Sequence, residues 1–142
     1  RTTPVCQAIR PRQKLSTRHN PVMTRVLIVD DEPSIRQIVT ALLTLEGFDV
    51  STAPDGRAAL EQILAAVPDV VISDVRMPYM TGCQLLTALR ANPSLYTVRF
   101  ILLANSSDSD IAADNALALA DACLSKPFTR DMLLKTVRAL IA

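Results

Sequence analysis

Histidine is almost absent from this chain, cysteine is sparse and unpaired, and no hydrophobic run is long. The one histidine, His19, lies within the first 22 residues, so the remaining sequence offers no imidazole for a zinc site. Cys6, Cys83 and Cys123 are odd in number and form no CxxC pair, which fits a reducing compartment better than a disulfide framework. Each reads as a packing or surface residue. No apolar stretch approaches the roughly 18 residues of a membrane span, and the N-terminal segment lacks the apolar core of a secretory signal. A cytoplasmic protein is expected.

Acids are also missing from residues 1–22, which hold Arg1, Arg10, Arg12, Lys14 and Arg18. With those five set aside, residues 23–142 carry ten basic against fourteen acidic side chains, a net charge of −4. Composition makes the arm a solvated tail, either linker, processed leader or vector-derived sequence, rather than a nucleic-acid or membrane contact. Met23-Thr24-Arg25 marks the boundary, and residues 23–142 read as one domain with 49% hydrophobic content across the chain.

What is present alternates between two periods. Strand-length apolar runs occur at Val26–Val29, Val70–Ser73, Phe100–Ala104 and Ala122–Ser125, with a weaker one at Asp49–Ala53. Helical spacing links Ile35, Ile38, Val39, Leu42 and Leu43, then Ala59, Leu60, Ile63, Leu64 and Val67. Leu85, Leu86 and Leu89 mark a third helix, Ile111 to Leu119 a fourth, and Met132, Leu133, Val137, Leu140 and Ile141 a fifth. Pro33, Gly47 and Asp55-Gly56 punctuate the first two helices. Strands alternating with helices predict a three-layer α/β sandwich around a parallel sheet.

Such sheets place chemistry at the carboxyl ends of their strands. Those ends carry Asp30 and Asp31, Asp74, Ala104 and Asn105, and Lys126-Pro127. Three carboxylates beside one ammonium, with no His or Cys, suit a hard cation such as Mg²⁺. Capping alone does not explain the cluster, because uncompensated carboxylates repel one another, although Glu32 by itself reads as a helix cap. Arg99 and Arg130 read as solvated.

The stretches VLIVDDE, DVVISDVRMPYMTG and LSKPF resemble motifs of response-regulator receiver domains, with 44 residues from Asp30 to Asp74 and 52 from Asp74 to Lys126. The resemblance covers residues 25–142. It implies a flavodoxin-like sheet in the order 2-1-3-4-5 with five helices, and a phosphoryl group accepted by Asp74 from a sensor histidine kinase or phosphotransfer protein. It further implies Mg²⁺ held directly by Asp31, Asp74 and the backbone carbonyl of Arg76, with Asp30 acting through water. Lys126 is then the cation that meets the phosphoryl oxygens, before a cis bond to Pro127. No histidine in the domain serves as a phosphodonor.

Departures from that pattern are equally specific. Ala104, 22 residues before Lys126, stands where most receivers carry Thr or Ser, followed by Asn105 in place of a small residue. Cys123 occupies a common Tyr or Phe position, while Tyr79 and Leu119 stand where glycine is frequent. Ser106 and Ser107 replace the lost hydroxyl only if the loop is re-registered. Two functions follow: a phosphorylatable receiver, not an enzyme in its own right, signalling through its fourth helix, fifth strand and fifth helix, or a phosphorylation-independent binding module. The lack of DxDx[TV] after the first strand argues against a dehalogenase-type hydrolase, and a transcription-factor role within this chain is not expected.

Overall fold

A computed structural model describes residues 23–105 and 116–141. The elements run β1 (Arg25–Val29), α1 (Pro33–Leu45), β2 (Asp49–Ala53), α2 (Gly56–Ala65), β3 (Val70–Asp74), α3 (Gly82–Ala91), β4 (Arg99–Ala104), α4 (Ala116–Leu119), β5 (Ala122–Ser125) and α5 (Arg130–Ile141). The five strands pair in parallel in the order β2-β1-β3-β4-β5. This is the predicted order, with five helices among the described residues. Residues 111–115 of the predicted fourth helix lie outside them, as do the arm, Cys6, His19, Ser106 and Ser107.

Alternation along each strand feeds two cores. Leu27, Val71, Phe100 and Leu102 face α2 and α3, whose Ile63, Leu85 and Leu89 are fully buried. Val26, Ile28, Ile72 and Leu103 face α1 and α5 through Val39, Leu43, Leu133 and Val137. The strand predicted most weakly, β2, lies at the sheet edge, where Asp49 and Ser51 are exposed. No helix among the described residues is long and apolar enough to cross a membrane.

Local chemistry sets the helix ends. Pro33 opens α1, and Gly47 closes it at φ +92°, with Gly47 N–H donating to Thr44 O and Phe48 N–H to Leu43 O. That pair of bonds is a Schellman closure, which a β-carbon at this φ would strain. Asp55 caps α2 by accepting from Ala58 N, and Thr81 with Gln84 forms a reciprocal capping box on α3.

Several expectations are corrected. Ile38 and Leu64 are 56% and 60% exposed, because the buried stripe of each helix is narrower than its apolar spacing suggests. Val67 lies beyond the end of α2 and is exposed as well. Glu32 occupies the N-cap position of α1 but its side chain makes no cap bond. Arg130 remains exposed, yet it pairs with Glu46 at 2.7 Å.

Arg99 is buried, not solvated, because its strand starts inside the sheet beside Asp121. The fully buried Asp121 accepts from Arg90 Nη2 at 2.9 Å and from Phe100 N at 2.8 Å. Arg90 also donates to the carbonyls of Leu119, Tyr96 and Val98, tying the end of α3 to the end of α4 and to the segment leading into β4. Asp121→Ala strands buried guanidinium charge, so urea unfolding should show a loss of about 3 kcal/mol. A loss below about 1 kcal/mol would mean that this cluster only fills space.

Candidate functional site

Sheet register aligns the strand ends. Val29 pairs with Ala53 and Ser73, Asp74 with Leu103, and Ala104 with Ser125. The residues at or just past those ends are therefore neighbours at one edge: Asp30 and Asp31 after β1, Asp74 closing β3, Asn105 after β4 and Lys126 after β5. Lys126 N donates to Ala104 O at 2.8 Å, extending the β4–β5 ladder by one step, and the bond from Lys126 to Pro127 is cis.

Asp30, Asp31 and Asp74 each offer a carboxylate oxygen, and the three oxygens lie within 4.8 Å of one another. Asp30 is fully buried, Asp74 buried and Asp31 exposed. Lys126 Nζ reaches Asp74 Oδ1 at 3.1 Å and Asp30 Oδ2 at 3.4 Å. Asp74 Oδ1 also accepts from Val75 N at 2.9 Å, and Asp30 Oδ1 from Glu32 N at 2.9 Å.

Burial pushes the Asp74 carboxyl up to about 6; Lys126 pulls it down, and Asp30 adds to the rise. Burial works against the Lys126 ammonium, but Asp74 and Asp30 outweigh it and hold its pKa above the ordinary value. One ammonium balances one of three carboxylates. The remaining charge, presented by hard oxygens at a partly open edge, fits a divalent cation of the Mg²⁺ type.

Arg76 follows Asp74 by two residues, with its side chain exposed. Ala104 and Cys123 are both buried at 1% in the core facing α3, and Asn105 is exposed. A methyl group and a thiol thus stand at the two positions where the resemblance implies a hydroxyl and an aromatic ring. Tyr79, in the loop after β3, takes φ +67°, the left-handed region that glycine enters without strain. It is 77% exposed and packs on the Arg57 guanidinium, 5.5 Å from the ring centroid.

Two residues at the site escaped the sequence reading. Arg36 Nη1, on the first turn of α1, donates to the Asp30 carbonyl at 2.7 Å. Ser73, fully buried, donates from Oγ to the Asp74 carbonyl at 2.9 Å. A hydroxyl breaking the apolar run Val70–Ile72 was the available signal for Ser73. For Arg36, only its place one turn into a helix facing an acidic strand end marked it.

Comparison with known proteins bears on this arrangement directly. The response regulator receiver domain family matches residues 26–138. The transcriptional regulatory protein KdpE of Mycobacterium tuberculosis is 38% identical over 119 residues, which are 84% of this chain and 51% of that protein. This chain spans about half the length of the curated relatives it matches. Among solved structures, the Vibrio cholerae chemotaxis response regulator CheY4 is 39% identical with a TM-score of 0.76, over 84% of this chain and 99% of its own. The Thermotoga maritima response regulator TrrA, solved in complex with Mg²⁺-BeF, is 33% identical with a TM-score of 0.74, over 83% and 99% of the two chains. A match across the sheet, its helices and the acidic edge together establishes that this chain belongs to the response regulator receiver domain family of two-component signalling.

Proposed function

We propose that residues 23–142 form a receiver that accepts a phosphoryl group on Asp74 from a phosphohistidine of a sensor histidine kinase or phosphotransfer protein. The observation that carries this reading is the placement of Lys126 Nζ 3.1 Å from Asp74 within the three-carboxylate cluster. An Asp74 carboxylate oxygen attacks phosphorus, the P–N bond to the donor imidazole breaks, and the imidazole retains the electron pair and takes up a proton. The product is an aspartyl phosphate.

The residues at the strand ends supply the rest. Asp31, Asp74 and the backbone carbonyl of Arg76 would hold Mg²⁺ directly, with Asp30 acting through water. Bound there, the ion supplies positive charge to the equatorial phosphoryl oxygens. Lys126 meets those oxygens from the β5 side, and its ion pairs with Asp74 and Asp30 keep it protonated and in place. Asp30, immobilised by Glu32 N and Lys126, fixes the loop that presents Asp31. Incubation with Mg²⁺ and a small acyl phosphate tests the reading. One phosphoryl group per chain, removed by hydroxylamine as an acyl phosphate is, supports it, and no uptake defeats it.

The protein acts by contact rather than by turnover on a separate substrate. Its partners are the phosphodonor and a downstream protein meeting α4, β5 and α5, in the cytoplasm. No nucleic-acid contact is assigned to residues 23–142, whose charge is −4. In the curated relatives named as transcriptional regulators, the aligned region makes up about half of the length.

One observation favours a second reading, a binding module that does not depend on phosphorylation. Ala104 has no hydroxyl to bond a phosphoryl oxygen, and Cys123 has no ring to change rotamer. A hydrogen bond to an anion is worth roughly 1.5 to 3 kcal/mol, and coupling between two states cannot exceed the contacts that differ between them. Amide NMR with Mg²⁺ and beryllofluoride should therefore show smaller shifts over residues 116–126 in wild type than in Ala104→Thr. Large shifts in wild type, unchanged by the substitution, would show that another group has replaced the hydroxyl.

A further inference from the structure

We infer that the Ser73 hydroxyl is a positioning residue that sets the rotamer of the phosphoacceptor by clamping the Asp74–Val75 peptide. The inference rests on the phosphoacceptor reading of Asp74 and adds a residue to it. The Asp74 carbonyl and the Val75 N–H are two ends of one planar peptide unit, so fixing one end orients the other. Ser73 Oγ donates to the carbonyl end at 2.9 Å. At the other end, Val75 N–H is directed at Asp74 Oδ1, 2.9 Å away, and at Leu103 O, 3.2 Å away.

Hydroxyl and carboxylate sit on opposite faces of β3. Ser73 shares the face of Val71, turned toward α2 and α3, while Asp74 turns toward α1 and α5 with Ile72. Flanked in register by Val29 and Leu102, Ser73 is a hydroxyl in an otherwise apolar setting. Burying it without a hydrogen-bond partner would be unfavourable, which restricts it to the one carbonyl it reaches.

The α3 terminus closes over the same peptide. Gly82 N–H donates to Val75 O at 2.8 Å, and a β-carbon on Gly82 would lie 2.1 Å from the Asp74 carbonyl oxygen and 3.1 Å from Ser73 Oγ. The backbone of α3 therefore rests directly on the clamp. Without the hydroxyl, the peptide can rock about the strand axis and carry Val75 N–H away from Oδ1. The carboxylate then samples rotamers in which its oxygens no longer face Lys126 and the other acids. Positioning of this kind acts on the rate of the bound complex more than on donor binding.

The test uses the full chain with Ser73→Ala and, to preserve volume should the first fail to fold, Ser73→Cys, whose thiol is a weak donor. Labelling rates are measured against acetyl phosphate concentration with Mg²⁺ in excess, and the Val75 amide resonance is recorded in unlabelled, metal-free protein. The expected result is a maximal rate about tenfold lower, a half-saturating donor concentration unchanged within about twofold, and a displaced Val75 amide. Wild-type maximal rate or an unmoved Val75 amide in a folded variant would overturn the clamp. Wild-type protein that takes no label would instead refute the phosphoacceptor reading, and the Val75 amide alone would then decide whether Ser73 fixes the peptide.

Discussion

Asp74→Asn should gain no phosphoryl group when incubated with Mg²⁺ and a small acyl phosphate, and wild type should gain one, an outcome that intact mass reads directly. The amide keeps the size of the carboxylate and can still accept from Val75 N and Lys126, so folding is not at stake. What it lacks is nucleophilic oxygen charge. Asp30 and Asp31 remain in the variant, and their labelling in its place would show that the cluster reacts without a preferred acceptor. Equal labelling of both proteins would remove Asp74 from the role.

The same variant makes a stability prediction with a definite sign. Asp74 has a folded pKa of about 6 against an ordinary 3.8, so folding favours its protonated form. That contribution is fully present below about 3.8 and is lost as pH rises through about 6. Asn, which never ionises, escapes the loss. In metal-free buffer Asp74→Asn should therefore be more stable than wild type at pH 7.5, by on the order of 2 kcal/mol, with the gain vanishing toward pH 4. A gain that stayed constant across this range would separate the stabilisation from Asp74 ionisation.

Much of this site was legible because it depends on short-range patterns. An apolar run ending in Asp30-Asp31, another ending in Asp74 and a third ending before Lys126-Pro127 mark three strand ends, and parallel pairing brings such ends to one edge. Ala104 and Tyr79 stood out against the motif. The structure gives Tyr79 a left-handed backbone, which explains why glycine is at home there.

The interactions that escaped are those whose partner is a backbone atom or is distant in sequence. Arg36 and Ser73 bond to carbonyls, which every residue carries and no sequence pattern displays. Arg99 looked solvated because its partner Asp121 lies 22 positions away, just before a different strand, and Arg90 reaches the same carboxylate from α3. Ile38 follows the helical spacing and lies in α1 yet faces solvent, because an apolar residue at the margin of a helical stripe can be exposed at little cost.

Asp31→Ala should weaken Mg²⁺ binding more than tenfold, the second large effect. Of the three acids, Asp31 alone is exposed, so its removal opens no cavity and leaves the Lys126 contacts to Asp30 and Asp74 intact. A tenfold change is about 1.4 kcal/mol of binding free energy. It would also appear as a smaller Mg²⁺-dependent rise in melting temperature, since a ligand stabilises the folded state according to its concentration relative to Kd. Without metal the direction reverses. Three carboxylates confront one ammonium, so deleting one relieves repulsion and should raise the melting temperature above that of wild type. The opposite signs in the two buffers distinguish a ligand from a structural cap. A cap would lose stability in both, and a metal-free melting temperature below wild type with unchanged Mg²⁺ affinity would place Asp31 among the residues that hold the β1–α1 loop rather than the ion.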